Sequence, residues 1–221
     1  MFQKEAQILG EYLGEIPARE LSPLVNIGSG SSKFRERNRP WVDRMIFAPL
    51  RKRKVEITHV DIETRPGVDL VADILTDDGF ENIRRIKPKM VLLTNVLEHV
   101  HEPRKFAQRC LDMLEPDGRL LITVPRSYPH HGGIDTMLRP TPEEIAAFVP
   151  TARILNAEIV PMEYHWHEIA RDPRKLMARK LKWLLVPYKL SVVVLAPGAV
   201  APASQLRERS PLDARRRAVA R

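Results

Sequence analysis

Leu24-Val25-Asn26-Ile27-Gly28-Ser29-Gly30-Ser31-Ser32 is an apolar run that empties abruptly into two glycines and a string of small hydroxyl residues. It reads as a buried strand feeding a ligand-binding turn. Gly28 and Gly30 lack a Cβ, so the backbone there can turn at positive φ and let a ligand approach the main chain closely. A Gly-x-Gly after a strand also occurs in ordinary tight turns, and Lys33 stands where a dinucleotide fingerprint has its third glycine. What the turn does depends on what the rest of the chain brings to the same edge.

Working outward, Val55, Ile57 and Val60 lead to Asp61 as a second strand ending in a carboxylate, and Val68, Leu70 and Val71 suggest a short third strand before Asp73. Met90-Val91-Leu92-Leu93-Thr94 and Leu120-Leu121-Ile122-Thr123-Val124 are continuous apolar runs, the pattern of strands covered on both faces. Ile154 to Val160 and Leu190 to Leu195 complete the strand candidates. Between them lie helical patterns: residues 4 to 14; a segment from Asn38 with an apolar face up to a break at Pro49; Phe80, Ile83 and Ile86; Phe106, Cys110, Leu111 and Leu114; and a helix opened by Pro142. Cys110 falls on an apolar stripe and reads as a core residue. A basic amphipathic helix is expected at residues 175 to 185.

Strands alternating with helices predict an α/β fold with a parallel sheet covered on both faces. Such sheets bind ligands beyond the C-terminal ends of their strands, where strand order reverses. Four features land at that edge: Gly28-Ser29-Gly30, Asp61, Asp73 and Asn95. A carboxylate after strand two suits a ribose diol, because it can accept from both hydroxyls. The long spacing to Asp61 and the missing third glycine speak against NAD.

At 221 residues the chain can bury a sizeable core without metal or disulfide, and its single cysteine cannot form an internal bridge. No charged-then-apolar leader opens the sequence and no uncharged apolar run reaches a membrane span, so a cytoplasmic location with at most peripheral membrane contact is expected. The net charge of +8 would suit nucleic acid if it lay on one folded face. Much of it sits instead in residues 171 to 221, where a solvated surface is the simpler reading. The expected division is an N-terminal helix packing on the domain (1–20), the domain itself (21–197) and a basic, disordered tail (198–221).

Taken in order, Asn26-Ile-Gly-Ser-Gly-Ser-Ser32, His59-Val-Asp-Ile62, Ala72-Asp-Ile74, Thr94-Asn-Val-Leu-Glu-His-Val100, Glu115-Pro-Asp-Gly-Arg-Leu-Leu-Ile-Thr-Val-Pro125 and Arg139-Pro-Thr-Pro-Glu-Glu144 resemble class I S-adenosylmethionine-dependent methyltransferases, closest to the type 11 group. The resemblance covers roughly residues 22 to 160 and implies a Rossmann-like methyltransferase fold, a mostly parallel seven-stranded sheet with helices on both faces, with S-adenosyl-L-methionine as cofactor. It implies that the loop around Asn26, Gly28 and Gly30 binds the cofactor's amino-acid part, Asp61 its ribose and Asp73 its adenine, with Asn95 near the methyl-bearing sulfur. The family usually has an acidic residue where Asn26 stands, and the charge attraction for the cofactor's ammonium is lost here.

Methyl transfer by in-line attack asks the protein mainly for alignment and exclusion of water. A base is needed only if the acceptor must lose a proton. His99 after strand four and His131 after strand five are the candidates, against the plainer reading of loop-orienting or exposed histidines. Glu98, His99, His101, His130 and His131 lack a diagnostic metal spacing, and no metal is expected. His165-Trp166-His167 reads as ordinary surface or packing chemistry. The expected acceptor is a small molecule, lipid or glycan precursor. The alternatives are an RNA substrate guided by the basic C-terminal region, or a protein that binds the cofactor without turnover.

Overall fold

The computed structural model describes residues 1–128, 134–162 and 188–198. Seven strands form one sheet in the order β3-β2-β1-β4-β5-β7-β6: β1 (Leu24–Ile27), β2 (Ile57–Asp61), β3 (Leu70–Val71), β4 (Met90–Thr94), β5 (Arg119–Pro125), β6 (Ala152–Pro161) and β7 (Lys189–Pro197). The first five run parallel, and β7 lies antiparallel between β5 and β6. From β1 the chain continues outward through β2 and β3, then returns to β1's other side with β4. The reversal therefore opens a crevice at the C-terminal ends of β1 and β4. This is the mostly parallel, Rossmann-like architecture that the strand pattern and the family resemblance predict.

Alternating side chains on the central strands feed two apolar layers. Val25, Ile27, Val91, Leu93 and Ile122 face α5 (Asp77–Arg84), α6 (Pro103–Asp112) and α7 (Pro142–Ala146), packing with Ile83, Phe106, Cys110 and Ile145. Leu24, Met90, Leu92, Leu121 and Val194 face α1 (Gln3–Glu15) and α2 (Ala18–Leu21), packing with Leu9, Leu13 and Leu21. Cys110 is fully buried, as its place on the stripe predicts. Local chemistry fixes the helix starts: Thr76 caps α5 by accepting from Gly79 N, and Thr141 and Glu144 close a reciprocal capping box on α7.

The connection from β1 to β2 departs from the sequence expectation. Pro49 does not end the helical segment, which runs on through α4 (Ala48–Lys52) after α3 (Pro40–Val42). Wide π-type turns over Phe34–Asn38 and Asp43–Phe47 flank α3. Such a turn accommodates a proline ring that an unbroken α-helix would drive into the carbonyl four residues back. Expectations for the basic helix at 175–185, for His165-Trp166-His167 and for the tail beyond Gly198 lie outside the described residues.

Candidate functional site

A cavity of about 610 Å³ lies at the predicted edge of the sheet, within the range typical of small-molecule sites. Asn26, Gly28, Gly30, Asp61, Asn95 and His99 all line it. Asp73 does not. Ala72 and Ile74 line the cavity on either side of it, while Asp73 is exposed and its Oδ1 accepts from Leu75 N at 2.9 Å. His131 lies outside the described residues.

The floor is the glycine turn. Gly28 and Gly30 have φ of 66° and 60°, a region that favours glycine. A Cβ on Gly28 would stand 2.5 Å from Val96 Cγ2. Gly30 N donates to Asp61 Oδ2 at 2.8 Å, tying the turn to the end of β2. Arg35, only 4% exposed and itself part of the cavity lining, grips the same turn. Its Nη1 donates to Ser29 O (3.0 Å) and Gly30 O (2.7 Å), and its Nη2 to Gly67 O (2.7 Å). In the sequence Arg35 looks like one more charge in Phe34-Arg35-Glu36-Arg37; only the turn folded around it reveals the clasp.

Asn26 pairs across the sheet with His59, its Nδ2 lying 3.1 Å from His59 Nδ1. The edge of His59 meets the Phe47 ring at 4.8 Å between centroids. Burial, reinforced by Arg35, lowers the His59 pKa from 6.5 to about 4, so the imidazole is neutral near pH 7. A neutral amide at Asn26 suits that neighbour.

The other end of the cavity is built around two buried carboxylates. Glu5 on α1 is fully buried; its Oε1 accepts from Asn95 Nδ2 (2.6 Å) and Thr123 Oγ1 (2.9 Å), and its Oε2 from Phe2 N (3.2 Å). This network holds Asn95 in a left-handed conformation with φ of 53°, which asparagine tolerates better than most residues. Glu5 was not among the sequence candidates, yet a signal existed. It lies four residues before Leu9 and eight before Leu13, on the helix stripe that packs inward.

Glu98, in the 3-10 turn Leu97–His99, also lines the cavity and is fully buried. Among the described residues neither of its carboxylate oxygens has a hydrogen-bond partner. His99 Nε2 stands 3.9 Å from Oε1. Burial raises the Glu98 pKa from 4.5 to about 7, with Glu5 adding to it and the Glu98 main-chain amide and Arg139 opposing it. Phe2, Tyr128 and Tyr188 form an aromatic wall on the cavity, with centroids 4.7 to 5.8 Å apart. No group of three or more His, Cys, Asp or Glu among the described residues could hold a metal ion, and no helix among them is long and apolar enough to cross a membrane.

His59 and Glu98 titrate with opposite consequences for stability. With its pKa at about 4 against 6.5, His59 makes the folded state lose stability as pH falls from 6.5 toward 4. With its pKa at about 7 against 4.5, Glu98 makes the folded state gain stability as pH falls from 7 toward 4.5. Each effect has a limiting slope of about 1.4 kcal/mol per pH unit. Relative to the parent, His59→Gln should therefore become more stable on acidification from pH 6.5 to 4.5, and Glu98→Gln less stable. Urea midpoints across that window measure both slopes, and slopes of the same sign would refute the assignment.

Residues 24–185, most of the chain, match the family described as the methyltransferase domain. Several solved structures share the fold at low identity. Coclaurine N-methyltransferase, bound to N-methylheliamine and SAH, has 10% identity and a TM-score of 0.57 over 87% of this chain and 70% of its own. The 1,6-didemethyltoxoflavin-N1-methyltransferase of Burkholderia thailandensis has 17% identity and a TM-score of 0.52 over 89% and 78%. A putative sarcosine dimethylglycine methyltransferase from Galdieria sulphuraria has 14% identity and a TM-score of 0.54 over 87% and 84%. No curated protein matches the chain. The glycine turn and the carboxylate of Asp61, both on the cavity lining, fit the cofactor of this family, and the chain belongs to the class I S-adenosylmethionine-dependent methyltransferases.

Proposed function

We propose that this enzyme methylates a small molecule, with cofactor and acceptor sharing the one cavity at the β1/β4 reversal. The observation that carries this reading is that the cavity is continuous. The glycine turn and Asp61 line it after β1 and β2, and Asn95, Glu98, His99 and Tyr128 line it after β4 and β5. In this reading the Gly28–Gly30 turn and Asn26 hold the cofactor's amino-acid end, and Asp61 accepts from the ribose hydroxyls. Arg35 keeps the turn in shape through its bonds to Ser29 O and Gly30 O. Asp73, exposed and outside the cavity lining with Oδ1 given to Leu75 N, is assigned no cofactor contact in this reading. Asn95, locked by Glu5, borders the reacting centre.

Bound cofactor supplies an electrophilic methyl group on a sulfonium. The chain's part is to align the acceptor in line with it and to exclude water. The apolar lining from Ile27, Val60, Ile74, Val96 and Phe106 serves the second task. Glu98 and His99 are the groups placed to hold a proton at the acceptor end.

Calorimetry with S-adenosylmethionine and S-adenosylhomocysteine should show one site per chain for each. Extracts incubated with the protein and methyl-labelled cofactor should yield label in a low-molecular-weight product by mass spectrometry. Failure of both cofactor forms to bind would refute the reading, as would label found only in macromolecules.

A further inference from the structure

The geometry points to a protonated amine, carried on an aromatic or apolar body, as the acceptor, with Glu98 receiving the proton that its nitrogen must lose. This inference rests on the methyl-transfer reading and adds to it the chemical class of the acceptor and the residue that recognises it.

Glu98 is the anomaly that requires explanation. A fully buried carboxylate is normally surrounded by donors, because an ion taken out of water without replacement partners is strongly disfavoured. Glu98 is fully buried and lines the cavity, and among the described residues its oxygens have no hydrogen-bond partner beyond the weak pull of its own main-chain N–H.

The charged groups around it do not neutralise it. Glu5, from α1, contributes a second buried carboxylate whose oxygens already accept from Asn95, Thr123 and Phe2. Arg139 is tied to Asp135 at 2.7 Å and donates to Tyr128 O at 3.0 Å. His99 Nε2 is 3.9 Å away. Among the described residues, the Glu98 main-chain N–H, the Met1 amino group and the Tyr188 phenol also act on Glu98. Among the described residues, two buried carboxylates against groups of limited compensating power make this end of the cavity electronegative. Such a pocket attracts a cation and repels carboxylate or phosphate acceptors.

Phe2, Tyr128 and Tyr188 supply the complementary apolar surface. Aromatic faces also favour a nearby ammonium.

The chemistry balances. A protonated secondary amine has no lone pair to attack with, so its N–H proton passes first to a Glu98 oxygen. The freed lone pair forms the N–CH3 bond as the S–CH3 bond breaks. The positive charge moves from sulfur to the methylated nitrogen, and the sulfonium becomes a neutral thioether. Glu98, now neutral, later loses its proton to water. A carboxylate whose affinity for protons is raised by burial accepts a proton from an ammonium far more readily than from an alcohol.

The test uses the full chain loaded with S-adenosylhomocysteine, titrated calorimetrically with phenethylamine and N-methylphenethylamine and with 2-phenylethanol as the matched alcohol, between pH 6 and 9. The amines should bind at least tenfold more tightly than the alcohol at pH 8, and that preference should shrink below pH 7 as Glu98 protonates. Glu98→Gln should abolish the preference while leaving S-adenosylhomocysteine affinity unchanged. Glu98→Asp, which keeps the charge, should retain part of it.

The inference is overturned if neither amine binds, if amine and alcohol bind alike, or if Glu98→Gln keeps the preference. It is also overturned if Glu98→Gln weakens S-adenosylmethionine but not S-adenosylhomocysteine, since Glu98 would then face the sulfonium. Should S-adenosylhomocysteine itself fail to bind, the methyl-transfer reading falls first, so the two failures are distinct.

Discussion

Asp61→Ala should weaken S-adenosylhomocysteine binding by about 100-fold or more while leaving the fold intact. Asp61 Oδ2 accepts from Gly30 N at 2.8 Å and Oδ1 from Glu63 N at 3.2 Å. Each carboxylate oxygen has a second lone pair, so the group can serve the turn and a ribose diol together. Hydrogen bonds to a charged acceptor contribute about 1.5–3 kcal/mol each, so losing two from the diol corresponds to roughly 10²- to 10⁴-fold in affinity. Detachment of Gly30 adds to that by loosening the floor of the site. Asp61→Asn keeps one acceptor oxygen and should fall between alanine and the parent. Calorimetry gives the affinities, and a melting temperature within a few degrees of the parent's separates lost binding from lost structure. Unchanged affinity in the alanine variant would remove Asp61 from the cofactor site.

Gly10→Ala should destabilise the protein by about 2–4 kcal/mol, although alanine is the better helix former. Its Cβ would stand 2.2 Å from Met45 O and 3.1 Å from Met45 C. Those are backbone atoms of the wide turn Asp43–Phe47, and backbone cannot swing aside as a side chain does. Helix α1 would have to lift, drawing Leu9 and Leu13 out of their layer and Glu5 away from Asn95 and Thr123. The loss should therefore be visible twice, as a lower urea midpoint and as weaker S-adenosylhomocysteine binding. Gly14→Ala is the control: a Cβ there meets nothing within 4 Å, and the helix propensity gain of up to about 1 kcal/mol should appear unopposed. If both variants shift stability in the same direction, the contact with Met45 does not limit the packing of α1.

The parts of this molecule that are legible in its sequence are those fixed by local pattern. The runs at 24–27, 90–94 and 120–124 are continuous because both faces of those strands are covered, so they could be read without knowing what covers them. Once they are parallel, Gly28, Gly30, Asp61 and Asn95 must fall at one edge. What could not be read depends on partners distant in the chain. Glu5 meets Asn95 and Thr123, ninety and more residues away, and at the level of composition it is one more charge near the start. Arg35 matters because the turn and Gly67 fold around it. Glu98 is informative through what it lacks, and a missing partner leaves no trace in a sequence. Asp73 shows the converse. Its position after β3 is as expected, but a turn-forming bond to Leu75 N keeps it out of the lining.

The insertion of β7 between β5 and β6 also constrains how the chain reaches its folded form. Among the described residues β6 pairs only with β7, so residues 152–161 gain this sheet contact only once residues 189–197 have been synthesised. Until then β5 presents an open edge in which Leu120 to Val124 are destined for burial, the kind of edge that invites pairing with another chain. Closure by a distant segment is slow because the intervening loop must first be ordered. Chains interrupted before residue 189 should therefore be aggregation-prone even though the cofactor-side strands are complete. Rescue of soluble yield by slower synthesis or lower temperature would mark this final strand insertion as the vulnerable step.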